Sequence, residues 1–335
     1  MNTRQLRYSI IIPVYNRPEE LDELLYSIMV QNTSALAEVV VVDDGSNITS
    51  EVIVNKYIDK LNVKYCFKQN SGPGDSRNYG MQRASGTYFI LLDSDCLLPP
   101  SYLETVDHAL NQAYTDAYGG PDAAHPQFSN RQKAIDYSMT SFLTTGGLRG
   151  SEKEGRRFQL RSFNMGISRE AFVLTKGFSR QRVGEDIELS FRLWEKGCST
   201  RFINEAFVYH KRRSTWAQFF RQTRNFGAAR PVLSKMYPAS TRPTYWLPSF
   251  FVIGILASLA AFLWSFYWPM LVYAVYLLAV IIDASRRNRS LFVGLLSALA
   301  VLVQFIGYGT GFLRSVYRLY VLRKPVKEAF PAMFA

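Results

Sequence analysis

The feature that most constrains this chain is a long stretch without charge near its C-terminal end. Residues 243–282 contain no Asp, Glu, Lys or Arg. At about 1.5 Å per residue this stretch gives roughly 60 Å of helix, enough for two crossings of a hydrocarbon core about 30 Å thick. We expect the break between them around Ser265–Pro269, because Trp264, Tyr267 and Trp268 are typical of an interfacial aromatic belt.

A second uncharged stretch, Ser290–Leu313, is long enough for a third crossing. The arginines of residues 286–289 suit a cytoplasmic loop before it. A third crossing would then place the basic tail outside, against the positive-inside rule; its cations are Arg314, Arg318, Arg323, Lys324 and Lys327. Two alternatives follow: a full crossing, or a re-entrant or shallow segment broken at Gly307, Gly309 and Gly311.

The net charge of +12 is unevenly distributed. Residues 1–242 hold 31 Lys and Arg against 25 Asp and Glu, whereas residues 243–335 hold 8 against 2. The Lys and Arg residues of 243–335 lie between apolar runs. We therefore expect a membrane lipid surface as partner and no nucleic acid. Hydrophobic residues at 48% exclude a disordered chain, and three separated cysteines exclude a disulfide scaffold or zinc finger.

The first hundred residues alternate strand and helix patterns. Apolar runs predict strands at Tyr8–Pro13, Val39–Val42, Val63–Phe67 and Tyr88–Leu92. Between them, amphipathic patterns predict helices that begin at Pro18 and Thr49 and a third over Asp75–Arg83. Strands that are apolar throughout indicate an α/β fold with a mostly parallel sheet covered on both faces. Ligands of such sheets bind beyond the carboxyl ends of the strands.

Polar or glycine-rich turns follow all four predicted strands. They are Pro13-Val14-Tyr15-Asn16, Asp43-Asp44-Gly45-Ser46, Asn70–Asn78 with its Gly72-Pro73-Gly74, and Asp93-Ser94-Asp95. Each turn alone is ordinary turn chemistry. Because the carboxyl ends of parallel strands share one edge of the sheet, the four together predict a binding site there.

The chemistry of this edge suits a nucleotide diphosphate. Asp93 and Asp95 can both face one hard cation such as Mg²⁺ or Mn²⁺, which would neutralise a pyrophosphate. Gly72 lets the backbone approach a ligand, and Arg77 supplies positive charge. Asp43 or Asp44 can accept hydrogen bonds from a base or a ribose. The sequence has no GxxxxGK[ST] and no GxGxxG after the first strand, which excludes the kinase-like and nicotinamide-dependent classes.

A second acidic cluster contains Glu185 and Asp186, at or just before the start of a predicted helix. Acids at a helix N-terminus are favoured by the helix dipole, which is the purely structural explanation. As a functional site, the cluster supplies a carboxylate base for an attacking hydroxyl. Upstream, the segment Arg161–Gly166 is predicted to line the acceptor side of the site, through Asn164, Met165 and Gly166. Gly146-Gly147 and residues 149–157 are predicted to form a mobile loop.

The ordered array PVYN, DDGS, GPGDSRN, DSD and GED resembles the inverting family 2 glycosyltransferases of the GT-A fold, over roughly residues 7–230. The resemblance implies a nucleotide-sugar donor and a divalent metal, Mg²⁺ or Mn²⁺. It implies a donor site at Pro13, Tyr15, Asn16, Asp43, Asp44, Gly72, Arg77 and Asp93. Within that site, Asp43 or Asp44 would bind the base, and Arg77 would lie near the nucleotide.

The same resemblance implies roles for the acids. Asp93 would face the ribose and the metal, and Asp95 would bind the metal. Asp186 would be the general base with Glu185 beside it. His210, after a predicted strand Arg201–Tyr209, is at the place of a further metal ligand in some GT-A enzymes; a structural histidine is the equally weighted alternative.

These expectations combine into one hypothesis. Residues 1–242 form a cytosolic GT-A domain at the cytoplasmic face of the inner membrane, and residues 243–335 form a membrane region with two or three helices and a basic tail. The segment Arg221–Phe226 lacks the Arg and Trp of the QxxRW signature of processive synthases, so we expect transfer of one sugar to a hydroxyl of a saccharide or lipid-linked acceptor. The alternatives are a polyprenyl-phosphate glycosyl synthase and an inactive membrane scaffold.

Overall fold

The computed structural model describes residues 6–31, 36–146 and 158–334. It contains two compact units. The first comprises the described residues of Met1–His125, Gly150–His210 and Phe334–Ala335, and the second those of Pro126–Arg149 and Lys211–Met333. The predicted loop residues 149–157 and Gly147 lie outside the described residues. The functional division predicted at residue 242 stays a proposal.

The strands are β1 Tyr8–Val14, β2 Leu36–Asp43, β3 Val63–Phe67, β4 Tyr88–Leu92, β5 Cys96–Leu97, β6 Ala117–Gly119, β7 Asp122–Ala123, β8 Asn164–Ser168, β9 Thr200–Phe202 and β10 Val208–His210. The α-helices are α1 Pro18–Met29, α2 Glu51–Asn55, α3 Pro73–Arg83, α4 Tyr102–Gln112, α5 Asn130–Thr140, α6 Phe142–Thr145, α7 Arg169–Thr175, α8 Glu185–Glu195, α9 Trp216–Met236, α10 Leu247–Leu263, α11 Trp268–Asn288, α12 Leu291–Val316 and α13 Val326–Ala329.

The first unit is built on a seven-stranded sheet in the order β3-β2-β1-β4-β8-β6-β9. Strands β1 to β4 are parallel to one another, whereas β8 is antiparallel to both β4 and β6. A smaller sheet has the order β5-β10-β7. The predicted α/β fold with a mostly parallel sheet is therefore confirmed.

Alternate residues of the parallel strands face two separate apolar cores. On one face, Ile10 and Ile12 of β1 pack in a cluster with Leu24 of α1. On the other face, Ile11 clusters with residues of α3, α7 and α8, among them Leu189. Because both faces are buried, every residue of β1 is apolar or hydrogen-bonded, which explains why the strands read as continuous apolar runs.

Several predicted element bounds need correction: β1 extends to Val14, and β2 runs over Leu36–Asp43 rather than Val39–Val42. The helix expected from Thr49 begins at Glu51, and the helix expected from Asp75 begins at Pro73, whose fixed φ suits a first helical turn. The single strand predicted over Arg201–Tyr209 is wrong, since β9 and β10 are separate strands. The N–H of Ala206 donates to the carbonyl of Ile203 at 3.2 Å, which closes a turn between them.

The second unit contains the apolar helices α10, α11 and α12. All three are long and apolar enough to cross a membrane, judged by length and composition. The predicted break between the first two is confirmed: α10 ends at Leu263, Ser265 takes a positive φ of 60°, and α11 begins at Trp268.

The predicted interruption of the third segment is wrong. Helix α12 runs unbroken from Leu291 to Val316, through Gly307, Gly309 and Gly311. These glycines serve close packing instead, since a Cβ at Gly311 would collide with the carbonyl oxygen of Arg224 in α9. From sequence alone, a glycine that allows two backbones to approach closely cannot be distinguished from a glycine that breaks a helix.

Candidate active site

The polar and glycine-rich turns after β1 to β4 lie at the shared carboxyl edge of the parallel strands, as their sequence positions predict. Two helices of the same unit contribute to this edge. Helix α3 follows the glycine turn at Gly72, which has a φ of 97° that favours glycine, and helix α8 begins at Glu185.

Asp43 and Asp44 are buried, and both carboxylates hold the turns around them. Asp43 accepts hydrogen bonds from the backbone N–H groups of Ser46 at 2.8 Å and Ser50 at 2.9 Å, and from the Tyr65 hydroxyl at 3.0 Å. A carboxylate has about four acceptor positions, so three contacts use most of its capacity. The turn geometry therefore depends on Asp43.

Asp44 connects the β2 turn to the glycine turn before α3. It accepts the N–H groups of Ser71 and Gly72, each at 2.9 Å, and the ammonium of Lys68 at 2.6 Å. This arrangement presets the backbone of the Gly72 turn. The predicted contact of Asp43 or Asp44 with a base stays a prediction.

The turn after β1 supplies one exposed aromatic ring. Pro13 is buried in β1, whereas the side chain of Tyr15 is 48% exposed. Asn16 has a φ of 53°, and its Oδ1 accepts the N–H of Asn47 at 2.8 Å. Tyr15 is thus the residue of this turn that can stack on a planar ligand, and Asn16 fixes the two turns to each other.

Arg77 is buried and lies between two acids. Its Nη2 is 2.5 Å from Oδ1 of Asp93, and its Nη1 is 3.3 Å from Oε1 of Glu185. The guanidinium also lies 5.3 Å from the centre of the Phe178 ring. A buried guanidinium needs such partners. Arg77 is therefore a positioning residue in this structure, which holds the acids of β4 and α8 together.

Asp93 and Asp95 occupy different surroundings although they are two residues apart. Asp93 pairs with Arg77 and keeps 32% of its side chain exposed. Asp95 is buried, its Oδ2 accepts a hydrogen bond from Arg17, and its Oδ1 lies 3.1 Å from Nε2 of His210. The structure thus brings Asp95 and His210 together, while Asp93 faces Arg77.

The residues around Asp95 fit a divalent cation. Asp95, Cys96 and His210 place one candidate ligand atom each within 4.8 Å of one another. Burial raises the pKa of the Cys96 thiol well above its usual range, and its Sγ lies 3.4 Å from the carbonyl of Phe163, so it stays a thiol and a poor ligand. The Nδ1 of His210 is buried and has no hydrogen-bond partner among the described residues.

The two carboxylates at the start of α8 have different surroundings. Burial, together with the adjacent charge of Asp186, raises the pKa of Glu185 to about 8, against the opposing effect of Arg77. Asp186 accepts the N–H of Ile187 at 2.8 Å, and its Oδ2 lies 3.9 Å from Nη1 of Arg161. Glu185 therefore holds a proton near neutral pH, which leaves Asp186 as the stronger candidate for a base.

Asn164, Met165 and Gly166 form β8 and are buried in the sheet. The Asn164 amide donates to the carbonyls of Pro121 at 3.1 Å and Ala206 at 2.8 Å, and its Oδ1 accepts from Tyr102 at 2.6 Å. The predicted acceptor-side role of these residues stays a prediction, and their burial does not favour direct contact with a substrate.

Sequence reasoning missed Arg17 and Lys68, which neutralise Asp95 and Asp44. The available signal was charge balance, because buried acids at one edge require nearby cations. The basic run 210–213 is also partly structural: Arg212 is buried and lies 2.7 Å from Asp136 in the second unit.

Comparison with known proteins agrees with this architecture. Residues 9–175 match the family model for "Glycosyl transferase family 2". A chondroitin synthase of Pasteurella multocida is 28% identical over 242 residues, which are 62% of this chain and 25% of that protein. A GalNAc(5)-diNAcBac-PP-undecaprenol beta-1,3-glucosyltransferase of Campylobacter jejuni is 25% identical over 210 residues, 61% of this chain and 64% of that protein.

A similar fold is found in a mannosyltransferase, PcManGT of Pyrobaculum calidifontis, solved with GDP-Man and Mn²⁺. It is 18% identical, with a TM-score of 0.55 over 96% of this chain and 89% of that chain. The present chain spans 25% and 34% of the length of the first two curated relatives that it matches. The fold is of the GT-A class. The chain belongs to glycosyltransferase family 2.

Proposed function

We propose that this chain transfers one sugar, with inversion, from a nucleotide-sugar donor to a hydroxyl of a saccharide or lipid-linked acceptor at the cytoplasmic face of the inner membrane. The observation that carries the proposal is the 3.1 Å approach of Asp95 and His210, which come from distant parts of the chain, at the ligand-binding edge of a family 2 sheet.

The first step of the argument concerns the cation. Asp95 and His210 would hold it; when bound, it would stabilise negative charge on the diphosphate of the donor. An imidazole nitrogen suits Mn²⁺ better than Mg²⁺, which prefers oxygen ligands. The similar mannosyltransferase structure contains Mn²⁺. We therefore expect Mn²⁺ to be the preferred ion.

The second step concerns the proton of the acceptor hydroxyl. Asp186 would accept this proton, because its neighbour Glu185 is already protonated near neutral pH. Arg161, 3.9 Å away, would orient the Asp186 carboxylate. A single displacement by the activated hydroxyl, without a covalent intermediate on the chain, inverts the anomeric configuration.

The third step concerns the acceptor. Three helices of the second unit are apolar and long enough to cross a membrane. The Campylobacter relative carries an undecaprenol diphosphate in its name, and another relative is a minor teichoic acid biosynthesis protein of Bacillus subtilis. A membrane-held saccharide is the acceptor class that fits these observations best.

The test is a screen of nucleotide-sugar donors with the full chain in membranes, in Mn²⁺, Mg²⁺ or EDTA. We expect at least one donor to be consumed with Mn²⁺ and none with EDTA. Asp95→Asn should abolish consumption, while Asp59→Asn, at an exposed position, should not. If the unaltered chain consumes no donor under any condition, the result would favour an inactive scaffold. If the sugar is instead found on a bare lipid monophosphate, the acceptor would be a polyprenyl phosphate and not a hydroxyl.

A further inference from the structure

The second unit contains a helix arrangement that bears on how many times the chain crosses the membrane. Helices α10 and α11 form an antiparallel hairpin, since Phe262 contacts Tyr267 near the turn and Phe251 contacts Tyr273 further from it, with ring centres 5.1 and 5.0 Å apart. The open end of the hairpin is therefore the start of α10 and the end of α11.

Helix α12 contacts that open end with both of its halves. Near its start, Gly294 lies against Ser285 of α11. Eighteen residues later, about 27 Å along a helix, the Phe312 ring lies 4.9 Å from the ring of Trp246, just before α10. A third crossing beside the hairpin would instead bring Phe312 towards the 264–267 turn. Helix α12 therefore crosses the hairpin obliquely: its middle packs near Tyr276, and both of its ends lie at the open end.

Intermediate contacts agree with this crossing. The Phe305 ring lies 4.7 Å from the ring of Phe251, and Ser249 Oγ donates to the carbonyl of Gly309 at 3.3 Å. From Phe305 to Phe312, the partner in or next to α10 moves from Phe251 back to Trp246, away from the turn. Along α11 the partner moves the other way, from Ser285 beside Gly294 to Tyr276 in the cluster that contains Phe305, so only the second half of α12 leads back to the open end.

Helix α9 runs alongside α12 in the same direction. Gly307 lies against the carbonyl of Phe220, Ser315 Oγ donates to the carbonyl of Ala228 at 2.9 Å, and Lys235 Nζ donates to the carbonyl of Leu319 at 3.2 Å. Helix α9 carries exposed polar side chains level with the middle of α12; they are Gln218, Arg221, Arg224 and Asn225. Arginines at that level are costly in a hydrocarbon core.

The other side of α12 is an apolar stripe, which we call the lipid stripe. Its large exposed side chains share one face of α12 and of the helical turn that follows it at 317–321: Leu291, Leu295, Leu299, Ile306, Tyr317 and Tyr320. The residues that face α9, such as Gly307, Gly311 and Ser315, lie on a different side of the helix. The pair α9–α12 thus has one polar and one apolar side.

We propose that α12 lies in the plane of the membrane interface, with the lipid stripe in the bilayer and α9 on the water side, and that only the α10–α11 hairpin crosses. The partner of the stripe is membrane lipid, because the hairpin beside it is apolar and exposed along its length. The arginines of residues 286–289, at the end of α11, and the basic tail then lie on one face of the membrane, which satisfies the positive-inside rule.

The first test is cysteine labelling of the full chain in spheroplasts and in inverted vesicles. Cys66→Ala and Cys198→Ala remove the two partly exposed thiols, and the buried Cys96 stays as the background control. Arg289→Cys and Lys324→Cys then report the two ends of α12 to a membrane-impermeant maleimide. We expect both to react in the same preparation. Reaction in opposite preparations would overturn the proposal.

The second test measures depth and does not depend on activity, so it is separable from failure of the proposed reaction. Nitroxide labels at positions 295, 299 and 306 of the lipid stripe should show one shallow depth by oxygen and nickel-chelate accessibility in liposomes. Labels at the exposed positions Leu256 and Leu259 of α10 provide the matched control and should lie deeper. A depth maximum in the middle of α12, equal to that of α10, would contradict the in-plane placement.

Discussion

The Nη1 atom of Arg77 lies 3.3 Å from Oε1 of Glu185, and this contact joins helix α3 to the start of helix α8. The same guanidinium holds Asp93 at the end of β4. One buried cation thus fixes three parts of the site. This role explains why an arginine is found at position 77, in helix α3 after the glycine turn.

Arg77→Met should destabilise the fold, because it leaves the Asp93 carboxylate without its buried cation and removes the contact to Glu185. Removing one partner of a buried pair costs about 3–5 kcal/mol. We expect a lower unfolding midpoint of the detergent-solubilised chain in a guanidinium titration. Arg83→Met, at an exposed position of the same helix, should change the free energy of unfolding by less than about 1 kcal/mol. Equal effects of the two substitutions would contradict the positioning role.

The raised pKa of Glu185 predicts a pH-dependent stability. Its pKa is about 8 in the folded chain and about 4.5 when exposed, so the folded state binds the proton more tightly. This contribution to the free energy of unfolding is full below about pH 4.5 and is lost as the pH rises towards 8. Thermal melting from pH 5 to 9 should show the loss.

Glu185→Gln should flatten that pH profile, because glutamine cannot release a proton. Glu195→Gln, at the exposed end of the same helix, should keep the profile of the unaltered chain. A profile that Glu185→Gln leaves unchanged would show that another group is responsible.

His210→Ala should weaken Mn²⁺ binding more than Mg²⁺ binding, because it removes the nitrogen ligand. Even substitutions behind the ligands of a metal site cost roughly 10–100-fold in affinity, so we expect at least that loss. Bound Mn²⁺ can be measured by electron paramagnetic resonance with a nucleoside diphosphate present. His108→Ala, at an exposed histidine, is the control. Unchanged Mn²⁺ affinity would assign His210 a structural role.

Asp186→Asn should lower kcat by about 10²–10⁴ and leave the KM for the donor nearly unchanged, because the base acts on the acceptor. The product of the unaltered chain should have the anomeric configuration opposite to the donor, as seen by nuclear magnetic resonance. A retained configuration, or near-normal kcat in this variant, would contradict the proposed base.

The sequence predicted the parallel sheet and its acidic edge well, because buried strands read as apolar runs and the turns follow them directly. It did not predict how the acids pair. Asp93 and Asp95 look equivalent in sequence, yet Asp93 pairs with Arg77 while Asp95 meets Arg17 and His210. Those partners lie 16, 78 and 115 residues away along the chain and are set by tertiary packing, which no local pattern records.

Gly307, Gly309 and Gly311 show the second limit of sequence reasoning. Three glycines at every second position of a helix predict that the helix is weak, because glycine has a low helix propensity. In the structure they let α9 and the start of α10 pack closely against α12, and this packing compensates for the low helix propensity of glycine. Whether these glycines break the helix or allow close packing depends on neighbours that are distant along the chain, in α9 and α10.

The most direct test of the account is consumption of nucleotide sugars by the full chain in Mn²⁺, compared between the unaltered chain and Asp95→Asn. We predict that at least one donor is consumed and that Asp95→Asn lowers the rate by about 10² or more while the variant stays folded, as judged by its circular dichroism spectrum. Consumption at the same rate by Asp95→Asn, or in EDTA, would contradict a cation held at the end of β4.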